Sequence, residues 1–343
     1  MKNAVALRMA RQHFSPKAGP DELEQLFRDM SPVPTPYWCC PGSPPELRHR
    51  TEFDSTAPCF SWRTERRIVK GRFQKGSIGY VFADELPLFA ALYRKASLLT
   101  HAEEELLSLL RREGPLSVGL IREFTGMLAR EITTVLHRLQ QRFLVLEDQI
   151  DSEWDRCWRP MEEVFPDLSA EMPPQEEALR LVLLRYTRLN GIAYVDGARS
   201  FYQLPARKIQ TAFEELAAEG KLVPFRDGYA LPEDLPSLEG EELDVPRSVF
   251  VLHRNDYLVK CNENWLREVY RYPDFEVLQY LLIDGEFCGA VVGKFRNGPF
   301  DVEDIVLNLP PESWALRREE ILTAVQAENP ASRLMRYCGQ YLK

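Results

Sequence analysis

The sequence predicts an α+β protein: tandem winged helix-turn-helix modules followed by a C-terminal antiparallel β-sheet or barrel domain. Three observations carry that prediction. Segment 103–146 recurs as segment 180–223, an offset of 77 residues with no gap. Each copy runs from helical periodicity into short apolar strands. Residues 248–309 then change character, with strand-like runs separated by Asp-Gly and Asn-Gly pairs, the strongest short-range hairpin signal.

In chain order, residues 1–29 suggest two helices, the second being PDELEQLFRDM after Gly19. Residues 30–50, MSPVPTPYWCCPGSPPELRHR, hold six prolines, two adjacent cysteines and a Tyr-Trp pair. Residues 62–82 alternate and carry a Lys-Gly turn, so they predict a β-hairpin. Segment 1–95 is thus expected to be a third, diverged winged-helix-like region with a proline-rich insertion. Within it, 62–75 is the most basic window of the chain: Arg63, Arg66, Arg67, Lys70, Arg72 and Lys75 against the single acid Glu65. On a hairpin, side chains two apart share a face, so Lys70, Arg72 and Arg66 are expected along one phosphate-facing edge. The plainer reading of the same run is a strand edge protected by charge.

The first module is expected within 96–150 and the second within 151–232. Gly114 falls on Gly191, Phe124 on Phe201, Ala129-Arg130 on Ala206-Arg207, Ile132 on Ile209, Leu136 on Phe213 and Leu139 on Leu216. Apolar residues at i, i+4 and i+7 mark one buried face on a long helix in each copy. Phe143–Leu146 reads as a strand in the first copy. Leu222–Phe225 and Tyr229–Leu231, joined by Arg226-Asp227-Gly228, read as a ribbon in the second. Three helices and a ribbon point to duplex DNA, with the third helix in a groove; Arg130, Arg207 and Lys208 stand on those helices. Helix 206–218 also carries Glu214, Glu215 and Glu219, which suits a scaffold better than a groove reader. The connections Glu147–Pro174 and 232–246 are acidic and read as solvated. In the C-terminal domain, 246–343, strands are expected at 277–283, 287–295 and 300–309, and a closing helix at 312–327.

The totals narrow the class. The 343 residues carry a net charge of −9, which excludes a uniformly basic nucleic-acid binder but not a local basic face. No apolar run approaches the ~20 residues that span a bilayer, and MKNAVALRMARQHF lacks the pattern of a signal peptide. Seven scattered cysteines suit reduced thiols in a cytoplasmic protein. Cys39-Cys40, His49 and Cys59 lack a C-x₂-C spacing, so no metal and no cofactor are expected.

REGPLSVGLI (112–121), EEVFP (162–166) and LIDGEFCGAVVGKF (282–295) resemble the bacterial winged-helix DNA glycosylases of the AlkZ type, over roughly 1–310. The resemblance implies tandem winged helices and a C-terminal β-barrel around a DNA channel. It also implies an alkylpurine or crosslink repair activity that hydrolyses an N-glycosidic bond. The family signature, Gln-apolar-Gln or Gln-apolar-Asp after the second N-terminal helix, is held to position a water for attack at the sugar carbon. Here that place reads Val33-Pro34-Thr35-Pro36. A proline side chain neither orients a water nor stabilises an oxocarbenium ion, so no catalytic residues carry over. Asp54 and Glu52 are the acids available as replacements, and a helix cap or solvated loop acid is the plainer role for each. Tyr37 and Trp38 are candidates to stack on an extruded base; packing of the loop is their plainer role.

The expected function is double-stranded DNA binding in a repair context, by a monomer that lacks the family's catalytic motif. Two further readings stay open: an active divergent glycosylase, and a non-catalytic regulatory or protein-interaction module.

Overall fold

The computed structural model describes residues 1–36, 44–95, 97–148, 156–295 and 301–342. The N-terminal region holds α1 (Lys2–Arg11), α2 (Leu23–Asp29), α3 (Thr56–Thr64), the antiparallel hairpin β1 (Ile68–Phe73) and β2 (Ser77–Phe82), and α4 (Leu86–Tyr93). The expected hairpin therefore starts six residues late: Trp62 lies in α3, whose Cys59 and Trp62 are buried in the core. Residues 1–95 do not pack as one unit. Val5, Met9 and Phe14 join the C-terminal core, whereas Leu26, Phe27, Trp62 and Phe82 join the central one. A helix that buries its apolar stripe against a distant sheet belongs energetically with that sheet.

Two copies of one helical arrangement follow. The first comprises α5 (His101–Glu113), β3 (Leu116–Ser117), α6 (Val118–Thr125), α7 (Ala129–Gln141), β4 (Val145–Asp148) and β5 (Cys157–Pro160), with the strands ordered β3-β5-β4. Thr100 opens α5 with a capping box: its hydroxyl accepts from the Glu103 N–H and the Glu103 carboxylate from the Thr100 N–H, satisfying two orphan donors. After α8 (Leu168–Glu171) comes the second copy: α9 (Gln175–Asn190), α10 (Val195–Tyr202), α11 (Ala206–Ala218), β6 (Val223–Phe225) and β7 (Gly228–Ala230). The bounds of α10 and α11 lie 77 residues after those of α6 and α7. Ile132, Leu136 and Leu139 in one copy and Ile209, Phe213 and Leu216 in the other are buried, as the periodicity requires. Gly228 is required by close approach: a Cβ there would lie 2.5 Å from the Ala193 carbonyl oxygen.

The acidic connections are not solvated throughout. Glu147 and Trp158 are buried and face each other across β4 and β5. Asp234, ahead of α12 (Leu235–Glu239), is buried and accepts from Arg11 Nη1 at 2.7 Å.

The C-terminal part contains β8 (Val249–His253), α13 (Tyr257–Val269), β9 (Glu276–Ile283), β10 (Glu286–Lys294), β11 (Asp301–Leu307), α14 (Pro311–Leu316), α15 (Arg318–Glu328), β12 (Arg336–Tyr337) and β13 (Gln340–Tyr341). Its strands form an open sheet in the order β13-β12-β11-β10-β9-β8, antiparallel except for the β11–β12 pair. Tyr280 and Leu282 face α1 and α13, and Leu281 and Ile283 face α15. Burial of both faces explains why β9 is apolar without alternation. Asp284 and Gly285 both have positive φ, 49° and 78°, the two-residue turn that the Asp-Gly pair predicts. Asn297-Gly298 lies outside the described residues. The expected closing helix is two helices, α14 and α15.

Among the described residues, no helix is long and apolar enough to cross a membrane.

Candidate nucleic-acid interface

Both described flanks of the proline-rich stretch are pinned to one turn, the connection between β8 and α13. Upstream, Val33 bridges Tyr80 of β2, with hydrogen bonds of 2.9 and 2.8 Å between their backbones. The Thr35 carbonyl then accepts from Asn255 Nδ2 at 3.1 Å. Downstream, the fully buried Arg50 donates twice to Asp256, at 2.5 and 2.9 Å, and lies 4.4 Å over the Phe14 ring. Asp256 also accepts from the Leu258 N–H and so caps α13. His49 meets the Val251 carbonyl at 3.1 Å through its Nε2. Burial drives the His49 and His253 imidazoles down to about 4, so both are neutral at pH 7.

Pro34, Thr35 and Pro36 are half-buried. Tyr37, Trp38, Cys39 and Cys40 lie outside the described residues. Among the described residues no three His, Cys, Asp or Glu side chains converge as a metal site. Cys59 is buried, and burial, with Glu46 and Asp54 adding to it, pushes its thiol up to about 12.

The Asp54 Oδ1 accepts from the Thr56 N–H at 2.9 Å at the start of α3, and the Thr56 N–H and hydroxyl hold its exposed carboxyl below the ordinary range. Glu52 is exposed. The acid that sequence reading missed is Glu46. Its loop folds back on α3 through Leu47, whose N–H donates to Ser55 Oγ at 3.0 Å. Burial pushes the Glu46 carboxyl up; Arg48 and the Thr56 hydroxyl oppose this, and Asp54 adds to it. Two carboxylates therefore meet at Thr56 with titrations moved in opposite directions. Nothing in the spacing of 46 and 54 signals this.

The basic window is largely engaged within the protein. Arg63 is buried on α3, 4.9 Å over the Phe60 ring. Arg66 pairs with Asp148 at 2.6 Å and Arg67 with Glu24 at 2.8 Å. Lys70 lies 3.0 Å from the buried Glu147, which Arg156 also reaches at 2.5 Å. Burial raises the Glu147 carboxyl, but Lys70 and Arg156 outweigh it and hold the group below its usual range. Arg72 meets His137 at 2.8 Å and the Gly76 carbonyl at 3.0 Å. Lys70 and Arg72 do share a face, but that face packs on α7 and β4 and is not an open edge. Lys75 is exposed at the hairpin turn. The cluster still has more bases than acids: Glu147 and Asp148 serve Arg66, Lys70, Arg156 and Arg159.

The third helices differ. On α7 the exposed Arg130, Thr134 and Arg138 follow one another at i, i+4 and i+8, one stripe along the helix. The corresponding stripe on α11 is Arg207, Thr211 and Glu215. Lys208, beside it, donates to Gln175 at 2.6 Å. The second helices differ too. Phe124 on α6 is 56% exposed, whereas its counterpart Phe201 on α10 is 1% exposed, 4.7 Å from the Tyr257 ring of α13. Helix α10 of the second copy is buried against α13, whereas α6 of the first leaves Phe124 in solvent; α7 of the first copy packs on β1.

A family model for AlkZ-like DNA glycosylases matches residues 57–294, and the chain belongs to that family. Among solved structures, the fold is similar to that of the Streptomyces sahachiroi DNA glycosylase AlkZ, with a TM-score of 0.68 at 15% identity, covering 98% of each chain. No curated protein matches in sequence. The matched family region begins after Pro34 and Pro36 and after Glu46 and Asp54.

Proposed function

We propose that the chain binds double-stranded DNA in repair, as a monomer, without the base excision of its family. In this reading the two helical copies are winged helices, the first of which meets DNA. The observation that carries it is the exposed Arg130–Thr134–Arg138 stripe on the third helix of the first copy. Arginines at that spacing suit phosphates and base edges along a groove. Lys75 and Arg207 extend the contact, and the paired bases of the hairpin set a positive background. Tyr37 and Trp38 keep the stacking role as a proposal.

The loss of chemistry rests on Pro34 and Pro36. Removing one group that stabilises charge in a transition state costs ~10²–10³ in rate, and both family positions lack such a group here. The split pair of Glu46 and Asp54 supports a second reading, an active divergent glycosylase. Carboxylates whose environments separate their titrations divide acid and base roles. Duplex DNA with one N7-methylguanine, followed by alkali cleavage at abasic sites, decides between them. The first reading predicts no strand breaks above the no-protein control. Breaks abolished by Glu46→Gln or Asp54→Asn would establish the second.

A further inference from the structure

Away from this interface, α1, α9, α10 and α13 line a solvent-open pocket of about 370 Å³, within the range of small-molecule sites. Its cation is Arg8. The Arg8 Nη2 donates to the Gly285 carbonyl, and Nε is buried with no acceptor. Among the described residues Arg8 forms no ion pair. Arg11, Arg28 and Arg50, by contrast, each reach a carboxylate. Burial draws the Arg8 guanidinium below its ordinary range, and Glu286 opposes this only at a distance. Arg8 keeps partial exposure, so an arriving anion meets a partly desolvated guanidinium that has no counter-ion among the described residues.

The rest of the wall selects the ligand. Tyr186 lines the interior, and Tyr194 and Trp265 stand at the mouth, 37% and 46% exposed. Aromatic faces left open at a cavity mouth suit a flat ring. Asn262 and Asn264 add amide groups. Asp196, also in the wall, lies 3.9 Å from Arg199.

We propose that this cavity binds a small ligand pairing one aromatic ring with a single anionic group, the ring against Tyr194 and Trp265 and the anion on Arg8. The anion is a phosphate monoester or a carboxylate, and the probes separate these sources: adenosine 5′-monophosphate and indole-3-acetate, with adenosine and indole as uncharged counterparts. Calorimetric titration of the full chain reads binding. At least one anionic probe is expected to bind, and to bind roughly ten- to hundredfold more tightly than its uncharged counterpart. Arg8→Gln is expected to erase that difference, Arg8→Lys to retain part of it, and Trp265→Ala to weaken charged and uncharged probes alike. Far-ultraviolet circular dichroism establishes that each variant is folded. If Arg8→Gln does not fold, the Arg8→Lys and Trp265→Ala results decide. No binding of either anionic probe at about 1 mM, or equal binding of charged and uncharged probes, overturns the proposal.

Discussion

At the scale of residues, the buried Lys70–Glu147 contact fixes how the N-terminal hairpin meets the first helical copy. Glu147 is fully covered and Lys70 nearly so. Removing one partner of a buried pair leaves an uncompensated charge, typically at about 3–5 kcal/mol. Glu147→Gln is therefore expected to lower stability by about 3 kcal/mol, read as a shift of the urea midpoint. A shift within ~0.5 kcal/mol, usual for surface substitutions, would show that the contact is peripheral. The same reasoning limits what the basic window revealed in sequence. Its six cations were legible, but their partners Glu24, Glu147 and Asp148 lie far along the chain in segments that read as solvated. Histidines supply a pH test. The folded values of His49 and His253, about 4, lie below the ordinary 6.5. Each then contributes stability that is present above pH 6.5 and lost as pH falls toward 4, because the unfolded state binds more protons in that window. Glu46 and Glu328, whose carboxyls burial raises, act in the opposite sense in the carboxylate range. His253→Asn is expected to flatten the fall in urea midpoint between pH 6.5 and pH 4.5; an unchanged profile would assign the acid sensitivity elsewhere.

At the scale of elements, the internal repeat was the most legible feature. Helices α6 and α7 recur as α10 and α11 without a gap, and their buried positions carry the same 3.6-residue period. Helix α3 was hidden because TAPCFSWRT has weak helical propensity, and tertiary burial of Cys59 and Trp62 decides it. Strand β5 was hidden because it follows an acidic segment, and only its pairing with β4 and β3 makes Trp158 a core residue. The unequal surroundings of the two copies were not legible at all, since Phe124 and Phe201 match in sequence. That inequality predicts an asymmetric mutational response. Arg130→Ala with Arg138→Ala is expected to weaken duplex binding and to reduce the salt slope by about 2, while Arg207→Ala reduces it by at most about 1. A larger effect at Arg207 would make the second copy the DNA-facing one.

At the scale of the molecule, a net charge of −9 coexists with the exposed Arg130–Arg138 stripe on α7, while the buried acids Asp234, Asp256 and Glu147 hold Arg11, Arg50, Lys70 and Arg156 inside. The C-terminal sheet, α1 and the second copy form one support, and the turn between β8 and α13 holds both flanks of the proline-rich stretch against it. Family membership made a DNA substrate an expectation from a few motifs, whereas the proposed loss of chemistry rests on two prolines outside the matched family region. The central claim is duplex binding through a limited set of phosphates, which displaces counterions. Fluorescence anisotropy of a labelled duplex, titrated with the full chain across salt concentrations, tests it most directly. If about six phosphates are engaged, affinity falls about 10³-fold or more between about 50 and about 200 mM salt. No binding at about 50 mM salt, where counterion release favours association most, would contradict the account.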